Sequence, residues 1–305
     1  MVELATRVGS VELPNPVMTA SGTAGYGDEL GRYFDLGSLG AVVVKSVSAQ
    51  PWAGNPAPRV HETANGMLNS VGLQNAGVDA WLGDELPDLV ASKARVVASI
   101  WGFTVEDYAR VAAALRDAPP AVVAVEVNVS CPNIEDRRRM FAHSASATAE
   151  VLEATAACGR PRWAKLSPNV TDLPEIAAAA VGAGAEAITL INTVMGLGID
   201  PETRRPWLGA GGGGLSGPAI RPIAVRAVHE CRAALPGAAI VGVGGVTRGV
   251  DAVELLLAGA DAVQVGTATF ANPRAPARVL AELRSWCDRH GVVHIRELIG
   301  ASHDN

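Results

Sequence analysis

Short aliphatic runs recur along this chain, each followed by a longer stretch with helical spacing, and that alternation limits its possible folds more than any other feature. Runs of Val, Ile and Ala without polar alternation read as strands buried on both faces, and parallel strands joined by covering helices bury both faces. Eight such runs can be placed: Pro16–Ala20, Ala41–Val44, Arg95–Ser99, Val122–Asn128, Arg162–Lys165, Ala185–Ile191, Ala239–Val243 and Ala262–Val265. Between them, Val105–Ala118 brings Tyr108, Val111, Ala112 and Leu115 to one helical face. Asp172 followed by Glu175 predicts a capped helix running to about Val181. Val250–Leu257 and Ala275–His290 predict the helices after the last two strands. The expected fold is an α/β (β/α)8 TIM barrel, which fills about 250 residues alone, so residues 1–305 are expected to form a single domain. Aromatic residues make up only 4% of a chain that is 49% hydrophobic, so the core has to be aliphatic and alanine-rich, as stacked strands and Ala/Leu helices require.

Two segments exceed simple βα connections: Ser46 to about Ala94, and Asn192 to Pro218 with its four consecutive glycines Gly211–Gly214. Long insertions in a compact domain are usually functional. Other classes are disfavoured. A net charge of −6 and the short run Arg137-Arg138-Arg139 do not resemble a nucleic-acid footprint. Cys131, Cys158, Cys231 and Cys287 lie too far apart for a local zinc or iron–sulfur site, and the histidines show no paired-ligand spacing, so no metal is expected. Residues Met1 to Ala20 carry Glu3 and Glu12 and no continuous apolar run; a soluble, cytoplasmic protein without membrane contact is expected. Gly182-Ala183-Gly184 precedes a strand instead of following one, so a dinucleotide fingerprint fails on context.

In this fold the chemistry lies at the C-terminal strand ends. The first run ends at Ser21-Gly22, the second at Lys45-Ser46, and the fourth at Asn128, followed by Cys131-Pro132-Asn133. The fifth ends at Lys165, the sixth at Asn192-Thr193, the seventh at Gly244-Gly245 and the eighth at Gly266-Thr267. Amides, hydroxyls, a thiol and two lysines therefore converge on one rim. The last two ends, with Gly217 opening a turn at Pro218, allow the backbone to approach a phosphate.

Together these motifs resemble a known family. Asn128-Val129-Ser130-Cys131-Pro132-Asn133 is similar to the active-site loop of dihydroorotate dehydrogenases, and Asn69 to Asn75 (N-S-V-G-L-Q-N) to their substrate loop. Lys45-Ser46, Lys165-Leu166-Ser167-Pro168-Asn169, Gly213–Pro218 and the two glycine turns follow in order, so the resemblance runs from about Leu4 to Arg296. A cysteine base, and a first strand beginning by residue 16, fit class 1; Asn192–Gly196 and Asp200–Pro206 resemble subtype B, the FMN-binding catalytic subunit. Two departures stand out. The segment Ile134–Met140 is not glycine-rich, and the third run ends Ala98-Ser99-Ile100-Trp101 where the family has an asparagine, so that contact is not carried over to Ser99.

The resemblance implies oxidation of dihydroorotate to orotate in pyrimidine biosynthesis, with hydride passing to FMN and a proton to Cys131. It implies that Lys45 lies between flavin and substrate carboxylate and that Lys165 stabilises the reduced flavin. Ser21, Lys45, Ser46, Asn128, Lys165, Ile191, Gly217, Gly244, Gly245, Gly266 and Thr267 are expected to contact FMN. Lys45, Asn69, Ser70, Val71, Gly72, Leu73, Asn128, Asn192 and Thr193 are expected to contact substrate. Implied partners are a second copy of the chain and an electron-transfer subunit carrying FAD and a [2Fe–2S] cluster, which reduces NAD. Two alternatives stay open: a fumarate-linked class 1A or dihydropyrimidine-oxidising relative, and a cofactor-free lyase or isomerase using the phosphate site.

Overall fold

The computed structural model describes residues 2–130 and 140–303. Eight parallel strands form the expected sheet: β1 (Val17–Thr19), β2 (Val42–Val43), β3 (Val96–Ile100), β4 (Val122–Asn128), β5 (Arg162–Lys165), β6 (Ala187–Leu190), β7 (Ala239–Val243) and β8 (Ala262–Val265). Their spatial order is β1-β8-β7-β6-β5-β4-β3-β2, so each strand lies beside its neighbour in sequence and β1 pairs with β8. The ring closes at the β1–β2 seam by a different device. Thr19 N donates to Ala41 O over 3.4 Å, while the Thr19 hydroxyl donates to Val43 O (3.1 Å) and accepts from Val43 N (2.8 Å). Gly40 N also donates to Val17 O at 2.8 Å, so a side chain supplements a sparse set of main-chain bonds there, and the fold is a (β/α)8 barrel.

Alternation along the strands separates two cores. Outward residues such as Val42, Ala98, Val125, Ile188 and Val263 pack under the helices. Inward residues Met18, Val43, Val97, Ala124, Trp163, Ala187, Val241 and Ala262 fill the lower interior. This layer meets a hairpin, Thr6–Val8 with Val11–Leu13, whose Val8, Val11 and Leu13 join the same cluster. The hairpin is tied to the N-terminal strand ends: Ser10 N donates to Glu186 and the Thr6 hydroxyl to Asp261 O. The barrel is therefore sealed on that side.

Helices cover the outside: α1 (Leu86–Ala91), α2 (Val105–Ala114), α3 (Ala145–Ala154), α4 (Leu173–Gly182), α5 (Arg221–Ala234), α6 (Gly249–Leu257) and α7 (Ala275–His290). Thr104 and Asp107 form a capping box for α2, and Asp172 caps α4 by accepting from Glu175 N at 3.0 Å. Helix α2 stops at Ala114 rather than Ala118: Leu115, Arg116 and Ala118 donate to carbonyls three residues back in a tightened turn, and Pro119 disfavours helix at Ala118. Strands β1, β2 and β6 are shorter than the aliphatic runs that encode them, and β3 is shifted one residue later, to Val96–Ile100. Among the described residues no helix is long and apolar enough to cross a membrane.

The two long insertions fold on each other. Val60–Thr63, Gly66–Asn69, Gly213–Ser216 and Val194–Gly196 make an antiparallel sheet, with Asn69 opposite Gly214 and Leu68 opposite Leu215.

Candidate functional site

The interior changes character one layer above Trp163. Two residues further along each strand, the inward positions become Lys45, Ser99, Glu126, Lys165, Thr189 and Gln264, set beside Ala20 and Val243. Lys165 is 4% exposed, and its ammonium donates to Ser21 Oγ at 2.9 Å and lies 3.5 Å from Glu126 Oε1. Glu126 Oε2 accepts from Gln264 Nε2 at 2.8 Å, and Ser99 Oγ lies 3.5 Å from Oε1 and 2.8 Å from Ser46 Oγ. A buried carboxylate or ammonium is costly unless paired and hydrogen-bonded, and this network supplies both conditions. Glu126 and Gln264 were missed by the strand-end reading because they point into the barrel below the rim.

Above this floor the predicted amides gather. Asn128 Oδ1 accepts from Asn192 Nδ2 (3.2 Å) and from Ser130 N (3.2 Å), and its Nδ2 lies 3.5 Å from Ser46 Oγ. The Tyr108 hydroxyl on α2 holds the end of β4 by donating to Asn128 O at 2.6 Å. Asn192 Oδ1 accepts from Thr193 N (2.8 Å), and Asn169 bridges Ser167 and Thr193 O. Asn69 reaches the rim from the insertion sheet, donating to Gly214 O at 3.2 Å.

Lys45 is half-buried, with its ammonium 5.5 Å from the centre of the Tyr26 ring. Burial first, and then the charge of Arg59, hold it below the ordinary lysine range. Ser70 to Leu73 form a loop whose shape is imposed from outside. Asn55 binds Ser70, Trp52 Nε1 donates to Gly72 O (2.9 Å), and Leu73 takes a left-handed φ of 63°. Val71 O accepts from Asn55 N at 3.1 Å. Asn75, 6% exposed, anchors the loop's far end: its Oδ1 accepts from Ser48 N and Gly77 N, and its Nδ2 donates to Leu73 O and Ser48 Oγ.

The glycine turns also converge. Gly217, at φ 95°, and Gly245, at φ 73°, adopt conformations that favour glycine. A Cβ on Gly245 would lie 2.6 Å from Arg221 Cβ and 3.0 Å from Gly217 O; one on Gly217 would lie 2.7 Å from Gly66 Cα. Gly244 abuts Ile191, and Thr267 Oγ1 meets Ser216 Oγ at 2.8 Å beside Gly266. Three strand ends thus present bare backbone in one place, with a buried ammonium two strands along from β7, on β5. Bare backbone for a phosphate, together with hydroxyls, amides and a cation for a polar ring, is a donor set that fits a flavin mononucleotide.

Cys131, with Pro132, Asn133 and the atypical segment up to Arg139, lies outside the described residues. Cys158, Cys231 and Cys287 are buried on the helical side, and burial, aided by Glu230 and Asp172, pushes the Cys231 thiol up to about 12. These three match the inert, small-hydrophobe reading of a buried cysteine.

Residues 3–286 match the family model described as dihydroorotate dehydrogenase. The chain is 50% identical over 305 residues to the "Dihydroorotate dehydrogenase B (NAD(+)), catalytic subunit" of Desulforudis audaxviator, covering 99% of this chain and 98% of that one. It is 46% identical over 299 residues to the protein of the same name from Trichlorobacter lovleyi, covering 98% of each. Among solved structures, a dihydroorotate dehydrogenase of Eimeria tenella in complex with ferulenol superposes with a TM-score of 0.81 at 22% identity, covering 99% of this chain and 89% of that one; this likeness bears on the fold.

Proposed function

Since the chain belongs to the dihydroorotate dehydrogenase family, we propose that it oxidises (S)-dihydroorotate to orotate in pyrimidine biosynthesis, as the FMN-binding catalytic subunit of an NAD-linked enzyme. The observation that carries the reading is the juxtaposition of the Gly217–Gly245–Thr267 cradle with a rim of Lys45, Asn69, Asn128 and Asn192 above a buried Lys165. The reaction removes a proton from C5 of the substrate and a hydride from C6. Bound FMN would supply the hydride acceptor.

The chain's own residues divide the remaining work. Gly217, Gly244, Gly245, Gly266 and Thr267 would hold the phosphate through backbone N–H groups and a hydroxyl. Ser21, Ser46, Ile191 and Lys165 would line the ring, with the lysine favouring added negative charge. Asn69, Asn128, Asn192 and Thr193 would bind the pyrimidine edge, whose imide and amide groups need both donors and acceptors. Lys45 would pair with the substrate carboxylate, and Ser70 to Leu73 would close over it. Cys131 would take the C5 proton, since a thiol beside cations is acidic enough for general-base work near neutrality.

On this reading the chain is one FMN-binding barrel domain that pairs with a second copy of itself and works in the cytoplasm. A subunit carrying FAD and a [2Fe–2S] cluster would carry electrons on to NAD. The names of the two curated relatives favour this acceptor over fumarate. The test is a visible spectrum of the purified chain before and after anaerobic dihydroorotate. A flavin spectrum that bleaches with one orotate formed per flavin is expected. A protein that stays colourless after FMN is added would overturn the reading in favour of a phosphate-binding lyase or isomerase.

A further inference from the structure

Resting on the FMN reading, we propose that Glu126 is a positioning residue for Lys165: its carboxylate balances the ammonium and aims it at the cofactor, and so sets how readily the bound flavin is reduced.

Glu126 is 0% exposed and occupies the middle of β4, two residues before Asn128, in a run otherwise made of valine and alanine. Each of its oxygens has a partner. Oε2 accepts from Gln264 on β8 at 2.8 Å, while Oε1 lies 3.5 Å from both the Lys165 ammonium on β5 and Ser99 Oγ on β3. Three strands therefore fix this carboxylate before any ligand is present. The ammonium it faces is held from the other side by Ser21 Oγ at 2.9 Å, at the end of β1.

Packing does not explain a charge here. The layer beneath is filled by Trp163, Val97, Ala124 and Val241, so the barrel closes with apolar residues when stability alone is served. Buried ion pairs are seldom more stabilising than well-packed apolar groups. The pair lies at the one level where the interior turns from apolar to polar, directly below the rim. Through Ser99 and Ser46, the same carboxylate connects to Asn128 on the rim, so it links the side that would face the ring to the side that would face the substrate. With Glu126 present the Lys165 charge is balanced within the pair. Without it, Lys165 would present an uncompensated cation.

Two variants test this. Glu126→Gln keeps the shape and removes the charge, with a flip of the Gln264 amide restoring the bond between the two side chains; Glu126→Asp keeps the charge on a shorter arm. The two-electron midpoint potential of bound FMN is expected to move positive in Glu126→Gln and to return toward the wild-type value in Glu126→Asp. An unchanged or more negative potential in Glu126→Gln overturns the proposal. Should cofactor be lost from the variant, FMN affinity of the apoprotein, read by quenching of flavin fluorescence, replaces the potential. Glu126→Gln is then expected to weaken FMN by about tenfold with Lys165 present, and by much less in a Lys165→Gln background, as for groups in direct contact. Equal losses in both backgrounds overturn the link to Lys165. A wild-type chain that takes up no FMN would refute the functional reading instead. A wild-type chain that binds FMN and is bleached by dihydroorotate, beside a Glu126→Gln protein with the same potential, would refute only this inference.

Discussion

Replacing Asn75 by alanine should damage both the stability of the fold and the aim of the loop proposed to close over substrate. The side chain is 6% exposed and serves four partners: it accepts from Ser48 N (3.1 Å) and Gly77 N (2.9 Å), and donates to Leu73 O (2.9 Å) and Ser48 Oγ (2.9 Å). Alanine would strand two backbone N–H groups and one carbonyl, each worth about 1 kcal/mol or somewhat more when left unpaired in a buried place. Part of that loss is recovered, since Leu73 could leave its left-handed conformation, which costs roughly 1–2 kcal/mol to hold. The net destabilisation comes to about 2 kcal/mol, or, at about 2.1 cal/mol/K of unfolding entropy per residue, a fall in Tm of roughly 3 °C for a chain of 305 residues. Thermal denaturation measures the first effect. Titration of the flavin band with orotate, well below the transition, measures the second; a loss of about tenfold corresponds to roughly 1.4 kcal/mol of lost loop order. A Tm within about 1 °C of wild type, together with unchanged orotate affinity, would show that the loop is shaped by something other than Asn75.

Cys131→Ser should slow reduction of bound flavin by dihydroorotate at neutral pH by about 100-fold or more while FMN stays bound; unchanged single-turnover reduction would remove the thiol from the role of base. Orotate affinity should be level at low pH and fall about tenfold per pH unit as free Lys45 loses its proton, because a carboxylate ligand favours the charged form. Burial and Arg59 place that fall below the ordinary lysine value of 10.5. In Lys45→Arg the fall should vanish from the range, and parallel profiles for the two proteins would exclude Lys45 as the carboxylate partner. Asp251 provides a stability test away from the site. Burial alone would raise its pKa, but hydrogen bonds from Thr247 and Arg248 and the Arg221 charge more than offset this and hold it below the usual carboxylate range. Its stabilisation is therefore present above the usual carboxylate range and lost as pH falls through the depressed value. Asp251→Asn should cost about 1–3 kcal/mol near neutrality, with the difference in melting temperature from wild type shrinking in acid.

Much of this architecture was legible because strands buried on both faces announce themselves as unbroken aliphatic runs. Strands β4, β5, β7 and β8 match those runs residue for residue, and α7 matches its helical pattern throughout. The hairpin at Thr6–Leu13 gave no such signal, since two three-residue strands around Gly9-Ser10 are too short to display a period. The insertion sheet was hidden for another reason. Asn69 pairs with Gly214 across a long sequence separation, and its glycine-rich strand carries almost no side chains to reveal a face. In the site, counting strand ends located Lys45, Asn128, Lys165 and Asn192, but it overlooked residues one step inward. A signal was available. A glutamate inside Val122–Asn128 and a glutamine inside Ala262–Val265 are polar groups in runs that otherwise exclude them, and such residues are seldom fully buried unless paired.

The Thr19 seam has a kinetic consequence. Seven of the eight junctions in the ring are ladders of main-chain bonds, whereas the β1–β2 junction has one main-chain bond of ordinary length, Gly40 N to Val17 O, a long Thr19 N to Ala41 O contact and the Thr19 hydroxyl. A closed ring opens at its weakest join, so amide exchange from the native state should begin at Val43 while the β4–β5 junction remains protected. Ser21 and Lys45 emerge directly from the two strands that meet at this join, and Ser21 is the residue that steadies Lys165. Slow opening of the barrel and loosening of its charged floor would then be the same event, so a ligand that spans β1 and β2 would act as a clasp on the whole cylinder.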